Sequence, residues 1–315
     1  MVPTTRPVIL KLEGGLGNQL FQFAAGVYLA AKVKSDLVMD QFSIPLSTHH
    51  GERGLGFQEF VWPQLPDDRS IRVLKSIPGT SITRLAVGNM TLKKMLLKMR
   101  MYSSNVRHLP TFYETRETSD FLSLNVPKKL HGNFQSWKIV DAAAAYGFPG
   151  VLRLKTPIRW IDEQLSENEM SQSIAVHFRV GTDALKNAGF SQPSMEYYRQ
   201  ALRVLGASGE MSNVFVFSDD IDIAKEKYAE ILGNGAHFVR QPSSATPAQK
   251  LFHLSSFENI VCANSTFCGW AAWSIGNSGG KVVVPVPYSD TQALGSRDFP
   301  ESWIKLSKIT GVVTS

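Results

Sequence analysis

Three short polar clusters in this 315-residue chain carry side chains able to do chemistry. The first is His177-Phe178-Arg179, near the end of the apolar run Ile174 to Val180. Side chains alternate along a strand, so Ile174, Val176, Phe178 and Val180 share one face and His177 and Arg179 the other. An arginine fork matches phosphate oxygens and is always charged, so the pair suits an anionic, phosphorylated ligand. The plainer alternative is an arginine reaching to water beside a histidine satisfied by backbone. The second cluster, Ser218-Asp219-Asp220, follows the apolar run Asn213 to Phe217. Its oxygens can accept hydrogen bonds from a base edge, guanine's N–H groups being natural partners. Asp220 and Asp222 could instead carry a metal, although an acid in a first helical turn is also expected from the helix dipole alone. The third cluster, Asn264-Ser265-Thr266, stands just before a helical stretch. There free N–H groups and the dipole favour a phosphate; an ordinary N-cap is the alternative.

The elements that must position these clusters form a repeated strand–helix rhythm from Ser173 onward. Strands are expected at 174–180, 213–217, 236–239, 259–263 and 281–286, and helices at 194–205, 221–232, 247–257 and 267–275. Apolar strands alternating with helices predict a parallel sheet covered on both faces. Ligands of such sheets sit outside the carboxyl ends of the strands, which is where all three clusters fall.

The first half opens with a strand, Pro7 to Leu12, that runs into Glu13-Gly14-Gly15-Leu16-Gly17-Asn18-Gln19-Leu20-Phe21-Gln22 and a long alanine-rich helix to about Val33. Strand, glycine turn, helix is a context in which backbone N–H groups face an anion. It is not the dinucleotide fingerprint, because Leu20 stands where the third glycine should be; Asp40, at the end of a second strand, keeps a nicotinamide reading open. Residues 41–68 are irregular. Over 91–101, Leu92, Met95, Leu96 and Met99 form one helical face and Lys93, Lys94, Lys98 and Arg100 the rest. Such a helix either lies on an anionic membrane or packs on the core with a solvated basic face. Leu130 to Ser136 reads as another strand end with exposed polar residues. Glycine and prolines over 147–157 mark the domain boundary, predicting domains 1–152 and 153–315.

A hydrophobic share of 43% fits a chain that builds its own core. The formal charge of +6 favours anionic partners, and no nucleic acid is expected. Cys262 and Cys268 are too few for a disulfide framework or a zinc site and fit a reducing compartment. Met1 to Pro7 shows no apolar signal core, and no window approaches the roughly 18 apolar residues of a membrane span. The expectation is a cytoplasmic protein with peripheral contact to the inner membrane face. With no secretory signal, the glycosylation patterns at Asn89 and Asn264 are discounted.

The motifs Gly14-Gly15-Leu16-Gly17-Asn18-Gln19-Leu20-Phe21-Gln22, His131-Gly132-Asn133-Phe134-Gln135-Ser136, His177-x-Arg179, Phe217-Ser218-Asp219-Asp220 and Ala263-Asn264-Ser265-Thr266-Phe267-x-x-Trp270-x-Ala272-Trp273 occur in that order. So ordered, with Pro300 and Trp303, they resemble the alpha-1,2-fucosyltransferases of glycosyltransferase family 11. The resemblance implies a GT-B-like α/β fold, two Rossmann-like domains with mostly parallel sheets facing a cleft. It implies an acceptor-side N-terminal domain and a C-terminal domain that binds GDP-fucose. The reaction implied is inverting transfer to the 2-hydroxyl of a galactose-type glycan acceptor, with no obligatory metal or other cofactor. On this reading Arg179 clamps the diphosphate, Ser218 and Asp219 meet the guanine, and Asn264, Ser265, Thr266 and Phe267 surround the phosphates. Gly17 and Asn18 face the transferred sugar. His177 and Asp183 are the candidate bases. The chain departs from the family at Val180, which replaces a second arginine, at Thr182, which displaces the acid to Asp183, and at Gln249-Lys250 and Cys268-Gly269.

Overall fold

The computed structural model describes residues 6–41, 56–74, 109–115, 117–164, 172–181, 191–207, 211–288 and 298–314. The protein is α/β and divides into two compact units, Met1–Gln58 with Trp62–Pro149, and Glu59–Val61 with Gly150–Ser315.

The first unit is built on β1 (Val8–Lys11), β2 (Leu37–Asp40), β3 (Ile71–Leu74), β4 (Thr111–Tyr113) and β5 (Lys129–His131). All its pairings are parallel, in the order β3-β2-β1-β5-β4. Helices α1 (Leu16–Lys32), α2 (Thr118–Leu122) and α3 (Trp137–Ala144) accompany the sheet. α1 is buried along nearly its whole length, which suits its alanines. At Gly26 an added Cβ would come within 3.0 Å of Leu37 and 3.1 Å of Leu10, so a bare backbone lets the helix lie on β1 and β2. Phe23 stacks on Phe57 with ring centres 4.5 Å apart, and Trp62 and Phe148 complete the aromatic cluster.

The second unit holds α4 (Arg159–Gln164), β6 (Ile174–Phe178), α5 (Met195–Val204), β7 (Val214–Ser218), α6 (Ile221–Leu232), β8 (His237–Phe238), α7 (Pro247–Leu254), β9 (Asn259–Val261), α8 (Thr266–Asn277), β10 (Val282–Val286) and β11 (Ile304–Ser307). Its sheet is parallel, in the order β11-β10-β9-β6-β7-β8. Ile174, Val176, Phe178 and Val180 enter one buried cluster with Tyr197 and Tyr198 of α5 and Tyr228 of α6, the alternation read from the sequence. Phe178 stacks on Tyr228 at 3.9 Å. In register, His177 lies opposite Phe217 and Phe178 opposite Ser218, so β6 and β7 end level with each other. Residues 59–61 join this unit through backbone bonds from Val61 N–H to Arg153 O and from Lys155 N–H to Glu59 O, flanking an antiparallel bridge between Phe60 and Leu154.

Helix α6 keeps the bounds expected of it, α7 is shorter, and β3, β4 and β11 are additions the sequence pattern did not announce. The basic stretch 91–101, the Asn89 pattern, Thr182 and Asp183 lie outside the described residues. Among the described residues no helix is long and apolar enough to cross a membrane.

Candidate functional site

The carboxyl end of β6 gathers most of the residues singled out in the second unit. Arg179 stands one residue past the strand, and its Nη1 points to the Ser265 hydroxyl at 3.5 Å. Ser265 is the N-cap residue of α8, yet its side chain makes no capping bond. A guanidinium beside the positive end of a helix is an arrangement that favours a bound anion. Asn264 is buried and donates its amide to Ser191 O at 2.8 Å, tying this turn to the segment that leads into α5. Thr266 and Phe267 begin α8 itself and are half-buried.

Asp219 braces the arginine's turn from β7. Its Oδ1 accepts the backbone N–H groups of Val180 at 2.8 Å and Gly181 at 3.0 Å. A Cβ on Gly181 would stand 2.7 Å from the other carboxylate oxygen, so a larger residue there would have to displace the bracing carboxylate. Ser218 accepts the Asp220 N–H at 3.1 Å, and Asp220 caps α6 by accepting from Ile223 N–H. Asp222 pairs with Arg240. The two acids that sequence alone offers to a metal thus have other work, and the described residues contain no group of three metal-ligating side chains.

His177 does not share the arginine's exposure. It is 7% exposed, with its ring 6.2 Å from that of Phe267, and Nδ1 has no hydrogen-bond partner among the described residues. Beside it lies Cys268, whose Sγ is 2.8 Å from that of Cys262. Burial pushes the Cys268 thiol up, but the hydrogen bond with Cys262 and the imidazole of His177 outweigh it and hold the thiol below its usual range. Burial pushes the Cys262 thiol up. Tyr288, which follows the cis bond between Val286 and Pro287, is also part of this surrounding. Burial pushes its hydroxyl up, against the Arg179 guanidinium. No motif marks Tyr288, because only the fold brings it near Arg179.

In the first unit the glycine turn after β1 is tied down by two fully buried glutamines. Gln19 donates to Gly14 O at 2.9 Å and accepts Gly56 N–H at 2.9 Å, while Gln22 accepts Glu13 N–H at 3.1 Å. Gly14 has φ of +78°, which suits glycine. Gly17 is buried in the first turn of α1. The next residue, Asn18, accepts a hydrogen bond at Oδ1 from Gln135 Nε2, at 3.0 Å. Lys11 Nζ lies 2.8 Å from both Glu13 Oε2 and His131 Nε2. His131, and after it Lys11, hold the Glu13 carboxyl at about 2 in spite of burial. Glu114, which no motif marked, accepts Asn133 N–H at 2.6 Å. Burial raises its carboxyl above the usual range, against the N–H groups of Phe134, Asn133 and Gln135.

One departure from the family pattern has a structural counterpart. Gln249 closes a capping box with Thr246 at the start of α7 and donates to Glu59 Oε2 at 3.1 Å, so a carboxylate reaches this position from residue 59.

Both units are parallel α/β, and the second holds an arginine beside a helix start. The family model described as Glycosyl transferase family 11 matches residues 148–307, about half of the chain and the whole arginine site. The chain belongs to glycosyl transferase family 11. It is 25% identical to the Alpha-1,2-colitosyltransferase of Escherichia coli over 96% of this chain and 99% of that one. It is 26% identical to the O-antigen biosynthesis glycosyltransferase WbnK of Escherichia coli over 94% and 99%. Among solved structures, the fucosyltransferase NodZ from Bradyrhizobium aligns with a TM-score of 0.46 at 15% identity, over 85% of this chain and 92% of that one.

Proposed function

We propose that this glycosyltransferase moves L-fucose from GDP-fucose to the 2-hydroxyl of a galactose-type residue in a glycan, inverting the anomeric configuration and needing no obligatory metal. The observation that carries the reading is Arg179 reaching Ser265 at the start of α8. In the transfer, the acceptor oxygen bonds to the anomeric carbon as that carbon's bond to the diphosphate breaks, and the electron pair leaves with GDP. Arg179 and the N–H groups of α8 stabilise that growing charge, with Asn264, Ser265, Thr266 and Phe267 around the phosphates. Ser218 and Asp219 lie on the guanine side. Gly17 and Asn18 meet the transferred sugar; residues 1–152 serve the acceptor and 153–315 the donor. A base takes the acceptor's proton; burial of His177 against Cys268 favours Asp183 for that task. Peripheral attachment to an anionic membrane through 91–101 belongs to the same proposal.

One donor-facing cation or N–H is typically worth a factor of about 10²–10³ in kcat. Arg179→Ala should lose that much, and Arg179→Lys most of it, because a point charge does not replace the fork. Steady-state kinetics on the folded variants make the check, and a loss below tenfold would remove Arg179 from the diphosphate. A second reading of the donor has a specific basis in the colitosyltransferase relative. Colitose is fucose without its 3-hydroxyl, so competition between the two nucleotide-linked sugars decides which one the enzyme prefers.

A further inference from the structure

We propose that the loop after β5, residues 132–136, together with Glu114, is a positioning device for Asn18. The inference rests on the reading above, in which Asn18 meets the transferred sugar. Three features of the loop are unusual together. A Cβ on Gly132 would stand 2.3 Å from Glu114 Cβ, so no side chain fits there. Phe134 has φ of +52°, a left-handed backbone that bulky residues rarely adopt, and is held by packing on Phe112 and Phe121. Glu114 is a half-buried carboxylate that receives the N–H groups of Asn133, Phe134 and Gln135. Successive N–H groups that converge in this way form an anion-binding nest, and here the chain supplies its own anion.

The outcome of this construction is the placement of one side chain. Gln135 leaves the nest with its Nε2 on Asn18 Oδ1 at 3.0 Å. That bond settles which way the Asn18 amide faces: its oxygen toward Gln135 and its nitrogen over Gly14, 2.9 Å from where a Cβ would be. An asparagine whose ends are told apart can offer its N–H to a sugar or phosphate oxygen without first turning. Strained backbone and a carboxyl whose titration burial perturbs tend to gather where geometry serves function.

The test compares Gln135→Ala, Gln135→Glu, Glu114→Gln and Asn18→Ala by transfer kinetics, GDP binding and thermal unfolding. Gln135→Glu keeps the shape but cannot donate to Asn18, so it should lower kcat at least tenfold while GDP affinity stays within twofold. Glu114→Gln should lower kcat without lowering Tm, because it removes a charge that burial disfavours. In an Asn18→Ala background, Gln135→Ala should add no further loss, as expected of residues acting as a unit. A Gln135→Ala enzyme with kcat within twofold of wild type, beside a crippled Asn18→Ala enzyme, overturns the positioning role and leaves the transferase reading standing. A loss of Tm that tracks the loss of kcat in Gln135→Glu and Glu114→Gln overturns it too. Full activity of Asn18→Ala would instead strike at the assignment of Asn18 itself.

Discussion

Asp219 is a carboxylate whose sequence context suggests ligand contact and whose geometry supplies support. Its Oδ1 holds the backbone of Val180 and Gly181, the two residues after Arg179. Asp219→Ala should therefore weaken GDP binding by freeing the arginine's turn, even if the base touches the other oxygen. Asp219→Asn, which keeps an accepting oxygen, should recover most of that loss; isothermal titration with GDP separates the two. The same residue shows how far single positions can be read. The alternation of Ile174, Val176, Phe178 and Val180 follows from strand geometry and was legible. The burial of His177 was not, because it depends on Phe267 and Cys268, some ninety residues away in the chain.

At the scale of elements, α7 carries a histidine into an aromatic layer. His253 is fully buried, edge-on to Trp160 at 5.0 Å and to Phe217 at 5.2 Å, with Phe257 nearby. Burial lowers it to about 4, whereas an unfolded histidine titrates near 6.5. Between those values the unfolded chain binds the extra proton and the folded chain does not. Stability from His253 is thus complete above pH ~6.5 and falls toward pH ~4, by roughly 3 kcal/mol. His253→Phe should flatten the loss of stability over that window, as urea melts at several pH values would show; an unchanged acid limb would refute the account. Long helices such as α6 were readable from their periodicity. Strands β3, β4 and β11, of three or four residues, hold too few side chains for a period to emerge, and their pairing partners define them. The Gln135–Asn18 contact was out of reach for the same reason: 117 positions separate its ends.

For the molecule as a whole, both sheets are parallel in all their named pairings, so every pairing needs a crossover and much of the contact map is non-local. Folding of such a chain is expected to be slow compared with that of a helical bundle. Residues 59–61 sharpen the point, since they come early in the sequence yet pair with 153–155. Anyone dissecting the gene at codon 150 would strip the later fragment of a neighbour that the intact chain always provides. Such a fragment should be digested faster in limited proteolysis than one in which residues 56–64 are fused ahead of it through a flexible tether. Equal digestion rates would mean that this borrowed strap is ornamental. A faster cut in the bare fragment would mean that a boundary drawn as one straight line through the sequence misplaces part of the second unit.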